Sequence, residues 1–209
     1  MSTTTVAVIT ADIVNSTALP KKQAKQLNHQ LEALLLPYQY EFYRGDSFQV
    51  LVPDPAEALT IGLQCRSLAI AFSPKDDEKH TDIRLSIGIG KSPLPVSKLG
   101  AASGEAFLLS GRAFDALEKS DKRLSITVSN PLASTALAVV ADYADAVFAQ
   151  LTVNQARLYQ LMFTGATQLE AAATLKKSKS TVHQYVVSGK WYETERILYH
   201  YREIVKHIL

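Results

Sequence analysis

The chain has 209 residues, 22 Lys and Arg against 20 Asp and Glu, and a net charge of +2. That composition is ordinary for a folded soluble protein and gives room for one large domain or two small ones. A lone cysteine, Cys65, excludes a disulfide framework and fits a reducing cytoplasm. No charged-then-apolar leader opens the sequence and no uninterrupted apolar run spans a bilayer, so no membrane role is expected.

Thr5–Ala11 reads as a first strand that ends at Asp12. Pro20 opens a helix whose apolar positions Ala24, Leu27, Leu31, Leu34 and Leu35 run until Pro37 stops it. Tyr38–Tyr43 and Ser47–Val52 form a hairpin with Gly45-Asp46 at its tip. Asp54, Pro55 and Glu57 mark the next helix start, followed by one apolar face of Ala58, Ile61, Cys65, Leu68, Ala69 and Phe72. Residues 73–79 read as a polar connection, and Ile83, Leu85, Ile87 and Ile89 alternate as a half-buried strand. After a Pro/Ser/Gly loop over 91–100, a helix is expected over Ala102–Leu117 and a short strand over Leu124–Val128.

This order predicts an α+β fold: a ferredoxin-like βαββαβ core with an added strand, followed by an all-α unit. The expected organisation is a body over residues 1–130, a connecting helix over 131–150 and a basic helical unit over 151–209. Charge supports the division. Residues 1–150 carry 14 basic and 16 acidic residues, and residues 151–209 carry 8 and 4. A basic tail on a slightly acidic body points to a polyanion partner.

In the tail, a helix is expected to about Phe163, with Gly165 breaking it and Thr167 capping the next. Another starts at Ser178 or Ser180. Ala172, Leu175, Val182 and Tyr185 have the spacing by which two helices of a helix-turn-helix seat on each other. Thr167-Gln168-Leu169-Glu170-Ala171-Ala172 resembles the start of bacterial regulator helix-turn-helix domains, with Lys176 and Lys177 standing where a turn glycine and an apolar residue are usual. A plain three-helix interaction module is the alternative. On the regulator reading, Lys179, Ser180, Thr181, His183 and Gln184 face DNA bases and phosphates, and Lys176 and Lys177 face the backbone. The last helix carries Trp191, Thr194, Leu198, Tyr201, Val205 and Ile208 at spacings of three and four, a seam for a homodimer or for packing on its own domain.

Asp12-Ile13-Val14-Asn15-Ser16-Thr17 and Gly45-Asp46-Ser47-Phe48 together resemble the two metal-binding motifs of class III nucleotide cyclases and, more loosely, of diguanylate cyclases of the GGDEF type. Ile83–Gly90 and Gly104–Arg112 extend the likeness over about the first 130 residues. In word order, including Gln49, the chain is most similar to the SatD-like family of bacterial proteins. The resemblance implies Mg²⁺ on Asp12, Asp46 and the Ile13 carbonyl, with Asn15, Ser16, Thr17, Arg44 and Gly45 at nucleotide phosphates and Arg112 as the catalytic arginine. Three departures stand against turnover. Phe42 lies where a base-reading lysine is expected, Leu108 lies where an asparagine is expected, and no acid stands near Leu99. The expectation is a DNA-binding transcriptional regulator with a degenerate, nucleotide-sensing domain. The alternatives are an active cyclase or nucleotidyltransferase, and a non-enzymatic dimeric scaffold.

Overall fold

The fold comes from a computed structural model, which describes residues 2–43, 45–74 and 80–208. Among these residues five strands and eight α-helices follow in the order β1 (Ser2–Val14), α1 (Lys21–Leu35), β2 (Gln39–Tyr43), β3 (Ser47–Val52), α2 (Ala58–Ala71), β4 (Asp82–Leu94), α3 (Glu105–Leu117), β5 (Leu124–Val128), α4 (Pro131–Phe148), α5 (Val153–Phe163), α6 (Gln168–Leu175), α7 (Lys179–Ser188) and α8 (Trp191–Ile208). The sheet order is β2-β3-β1-β4-β5, antiparallel except for the parallel pair β4–β5. That is the expected ferredoxin-like arrangement with one strand added.

Two strands are longer than the apolar alternation predicts. β1 and β4 pair over thirteen positions, from Ser2 opposite Leu94 to Val14 opposite Asp82. The extra residues of β1 are threonines and serine, which suit a strand but leave no apolar trace. Of the expected polar connection, residues 75–79 lie outside the described residues.

Strand alternation sorts β1 between the two faces of the sheet. Ala7, Ile9, Ala11 and Ile13 pack with α1 and α2 through Leu27, Leu31, Leu59 and Leu63. Val6 and Val8 turn the other way, onto Ala106 and Phe107 of α3. Helix α3 lies hard on β4, because a Cβ at Gly88 would stand 2.4 Å from the Ala106 carbonyl oxygen.

The C-terminal helices share this core. One buried cluster runs from Ile9 and Leu27 through Leu137 and Tyr159 to Val182 and Val205. The Tyr201 hydroxyl donates to the Pro55 carbonyl at 2.7 Å, and Gln160 Nε2 donates to the Ser67 carbonyl at 3.2 Å. Arg66, fully buried on α2, reaches Asp82 and Asp145 at 2.7 Å each, tying β4 and α4 to α2. The seam expected on the last helix therefore has its partner within the chain: Trp191, Thr194, Leu198, Tyr201 and Val205 are buried, with α8 packed on α4. Helix α4 departs from the sequence expectation in another respect. It is long and apolar enough to cross a membrane by length and composition, although Asp142 and Asp145 interrupt it.

Candidate functional site

The register lays two polar rows across the open face of the sheet, beside α3. Glu41, Gln49, Thr10, Ser86 and Ser125 face one another strand by strand from β2 to β5. One step along, Tyr43, Ser47, Asp12 and Arg84 form the second row. A cleft of about 770 Å³ stands over the part of these rows contributed by β1, β2 and β3. Its floor includes Thr10, Tyr43, Ser47 and Gln49, and its walls are Leu99, Gly100 and residues 102–105 together with Phe107, Leu108 and Phe114 of α3.

Hydrogen bonds fix this floor. Glu41 accepts from the Leu99 and Gly100 amides at 2.9 and 3.1 Å and from the Tyr43 hydroxyl at 2.7 Å. The Tyr43 bond, seconded by the two amides, holds the Glu41 carboxyl below its ordinary value. Burial, and then the same bond, pushes the Tyr43 phenol up. Gln49 Nε2 donates to Thr10 Oγ1 at 3.2 Å, Thr10 and Ser110 share a 2.6 Å hydroxyl pair, and Ser86 Oγ donates to the Ser110 carbonyl at 2.7 Å. The motif-led reading missed Glu41, Tyr43 and Gln49, although their alternation along the hairpin was a usable signal.

Of the residues expected at a metal, Asp12 is held by Arg84, whose Nε and Nη2 reach its two oxygens at 3.1 and 2.6 Å. The bond to Asp12 raises the guanidinium further above its ordinary value. Ile13 donates its amide to the Asp46 carbonyl at 2.9 Å, and Asp46 Oδ2 accepts from Ser16 Oγ at 3.2 Å. Asn15 sits in the left-handed region at φ 58° and donates to the His80 carbonyl. Ser16 and Thr17 belong to a 3₁₀ turn, and α1 starts only at Lys21. Gly45, at φ 87°, accepts from Asn28 Nδ2 at 2.9 Å, while Arg44 lies outside the described residues. Arg112 is exposed on α3 and is not among the residues that line the cleft.

Among the described residues no three His, Cys, Asp or Glu side chains converge as a metal-ligand group. Arg84 takes one hydrogen-bonding position on each Asp12 oxygen and offsets its charge, which weakens Asp12 as a ligand to a Mg²⁺ shared with Asp46. Phe42 stands where a base-reading lysine was expected and Leu108 where an asparagine was expected. Phe42 stacks on Phe48 at 5.0 Å rather than lining the cleft, and Leu108 contributes an apolar side chain to its wall.

The basic surface lies on α7 and on the turn that joins it to α6. Thr167 and Glu170 form a reciprocal capping box on α6. The helix ends at Lys176, in the left-handed conformation at φ 53°, and the Lys177 amide bonds back to the Ala172 carbonyl at 3.0 Å. This is a Schellman-type end with lysine where glycine is usual, so the turn that the sequence put in doubt does close. Ser178 then caps α7 through the Thr181 amide. Val182 and Val186 are buried, Thr181 is half-buried, and Lys176, Lys177, Lys179, Ser180, His183 and Gln184 are exposed. From Ala171 to Tyr192 there is no acidic residue.

No protein-family model and no curated protein matches the chain. Solved structures do. The active GGEEF domain of a diguanylate cyclase from Vibrio cholerae is 12% identical, over 60% of this chain and 83% of that one, with a TM-score of 0.41. A bacterial light-regulated adenylyl cyclase is 15% identical, over 61% and 77%, with a TM-score of 0.43. Adenylate cyclases from Trypanosoma brucei give 14% identity, over 53% and 68%, and a TM-score of 0.41. At these identities and scores the likeness says nothing about ligand or chemistry.

Proposed function

We propose that the chain is a cytoplasmic DNA-binding regulator that acts as a homodimer, with α6 and α7 as its helix-turn-helix and the sheet cleft as a sensor site for a nucleotide. The observation that carries the reading is the outer face of α7. Lys176, Lys177, Lys179, Ser180, His183 and Gln184 stand exposed together on a stretch without a single acid, seated from behind by Val182 and Val186. A short helix with a basic, hydrogen-bonding face and an apolar back suits the major groove.

The cleft supports a sensor rather than a catalyst. Its polar floor offers Tyr43, Ser47, Gln49 and Thr10 to the edge of a flat heterocycle, and Phe107, Leu108 and Phe114 offer an apolar wall to its face. Asp12 is neutralised by Arg84, and Arg112 stands outside the lining, so neither of these two expected groups is placed to drive transfer at a phosphate.

A gel-shift titration over genomic fragments tests the regulator reading. Retarded complexes should form at low salt and vanish when Lys176 and Lys177 are both replaced by Ala. No retardation at low salt, or undiminished retardation by the double Ala variant, would overturn it. A nucleotide panel followed by product analysis tests the sensor: binding without turnover is expected, and turnover would make the cleft an active site.

A further inference from the structure

With the α8 seam spent inside the fold, a second seam stands uncovered on α4. Leu132, Ala136, Val139, Tyr143 and Ala146 recur at spacings of four, three, four and three, which places them on one stripe of the helix. Leu132 is 81% exposed, Val139 66% and Tyr143 46%. The buried face of the same helix is a different one, made by Ala133, Leu137, Ala141, Ala144 and Phe148. Helix α4 is thus apolar on two sides, and the described residues cover only one of them.

We infer that this stripe is where a second copy of the chain docks, α4 lying antiparallel on its counterpart about a two-fold axis through Val139. The stripe complements itself in that direction and in no other. Leu132 falls opposite Ala146, Val139 opposite Val139, and Ala136 within one residue of the level of Tyr143, so each large side chain meets a small one or its equal across the axis. In a parallel pairing, Leu132 would meet Leu132 and Tyr143 would meet Tyr143, leaving gaps at both alanines. Charge agrees with a buried centre and a polar rim. No charged residue occurs from Pro131 to Ala141, and Asp142, at the edge of the stripe, is tied to Lys122 at 2.5 Å.

The inference rests on the dimer part of the proposed function and adds the surface; it does not depend on DNA. Sedimentation of the full chain should show a dimer, and Val139→Lys should weaken self-association at least tenfold while leaving the circular dichroism spectrum unchanged. Single cysteines then read the direction. Val139→Cys should cross-link to itself on oxidation, Leu132→Cys should stay reduced, and Leu132→Cys combined with Ala146→Cys should cross-link. The native Cys65 is buried and stays silent. A dimer that persists in Val139→Lys would overturn the surface and leave the dimer standing. A wild-type chain that is monomeric at high micromolar concentration would overturn both. Self-cross-linking through Leu132→Cys would overturn the antiparallel arrangement, and a monomer that binds phosphatidylglycerol vesicles would assign the stripe to a membrane instead.

Discussion

Asp12 and Arg84 face each other across the β1–β4 ladder, and the guanidinium holds both oxygens of the carboxylate. The pair is largely covered, at 19% and 16% side-chain exposure, and the guanidinium also lies 5.5 Å from the Phe114 ring. A carboxylate in that position has its counter-charge built in. Arg84→Met keeps the aliphatic bulk and removes the charge. Losing a charged hydrogen-bond partner should cost roughly 1.5–3 kcal/mol in urea unfolding. It should also leave Asp12 open to a cation, so Mn²⁺ should bind Arg84→Met more tightly than wild type in a paramagnetic relaxation titration. An equal response from both proteins would show that Arg84 does not control access.

Arg66 is a harsher case, since it is completely buried between Asp82 and Asp145 and lies 5.3 Å from the Phe148 ring. Arg66→Met strands two carboxylates in the interior, and breaking such a pair costs about 3–5 kcal/mol. Adding Asp82→Asn and Asp145→Asn should return part of that loss. Further destabilisation by the added substitutions would mean that the backbone amides of Ile83 and Arg123, which donate to these carboxylates, matter more than the arginine.

How much of this was legible beforehand depends on how far apart the partners lie in sequence. Strand order, helix faces and caps follow from local pattern, and the Asp54 and Thr167 caps stand where expected. Arg84 is 72 residues from Asp12, and no periodicity reveals that the two pair. The α8 seam shows the opposite problem. Its spacing says that a face is buried, and the spacing cannot tell a partner subunit from α4 of the same chain. The hairpin residues Glu41, Tyr43 and Gln49 alternate visibly, but only the register brings them beside Thr10 on β1, where Tyr43, Gln49 and Thr10 floor the cleft.

Acid should open one wall of that cleft. Glu41 holds the Leu99 and Gly100 amides, and its carboxyl lies below the ordinary 4.5. A depressed folded value means that this clamp contributes fully above the unfolded value and is lost as pH falls through the lower, folded one. The Gly100 amide resonance should therefore move upfield as pH drops below about 4.5. In Glu41→Gln the acid-dependent movement should disappear. A titration centred above neutrality would place its cause elsewhere.

Lys176 carries two effects that can be separated. A non-glycine residue in the left-handed region costs about 1–2 kcal/mol, while glycine gives back part of that through its freer unfolded state. Lys176→Gly should therefore stabilise the chain by roughly 0.5–1 kcal/mol in urea unfolding. Lys177 is not in that conformation, and Lys177→Ala should leave stability nearly unchanged. Both substitutions remove one charge from the turn before α7. On the regulator reading each should flatten the log–log salt dependence of DNA binding by about 0.9, the contribution of one phosphate contact. Lys176→Gly should thus give a more stable protein that binds DNA less tightly, with the loss shared across all sequences. Gln184→Ala should instead shift site preference, by roughly 1–3 kcal/mol at the base it meets. Two results would count against this account: a loss of stability in Lys176→Gly would contradict the left-handed turn, and an unchanged salt slope in both lysine variants would take the turn away from the phosphate backbone.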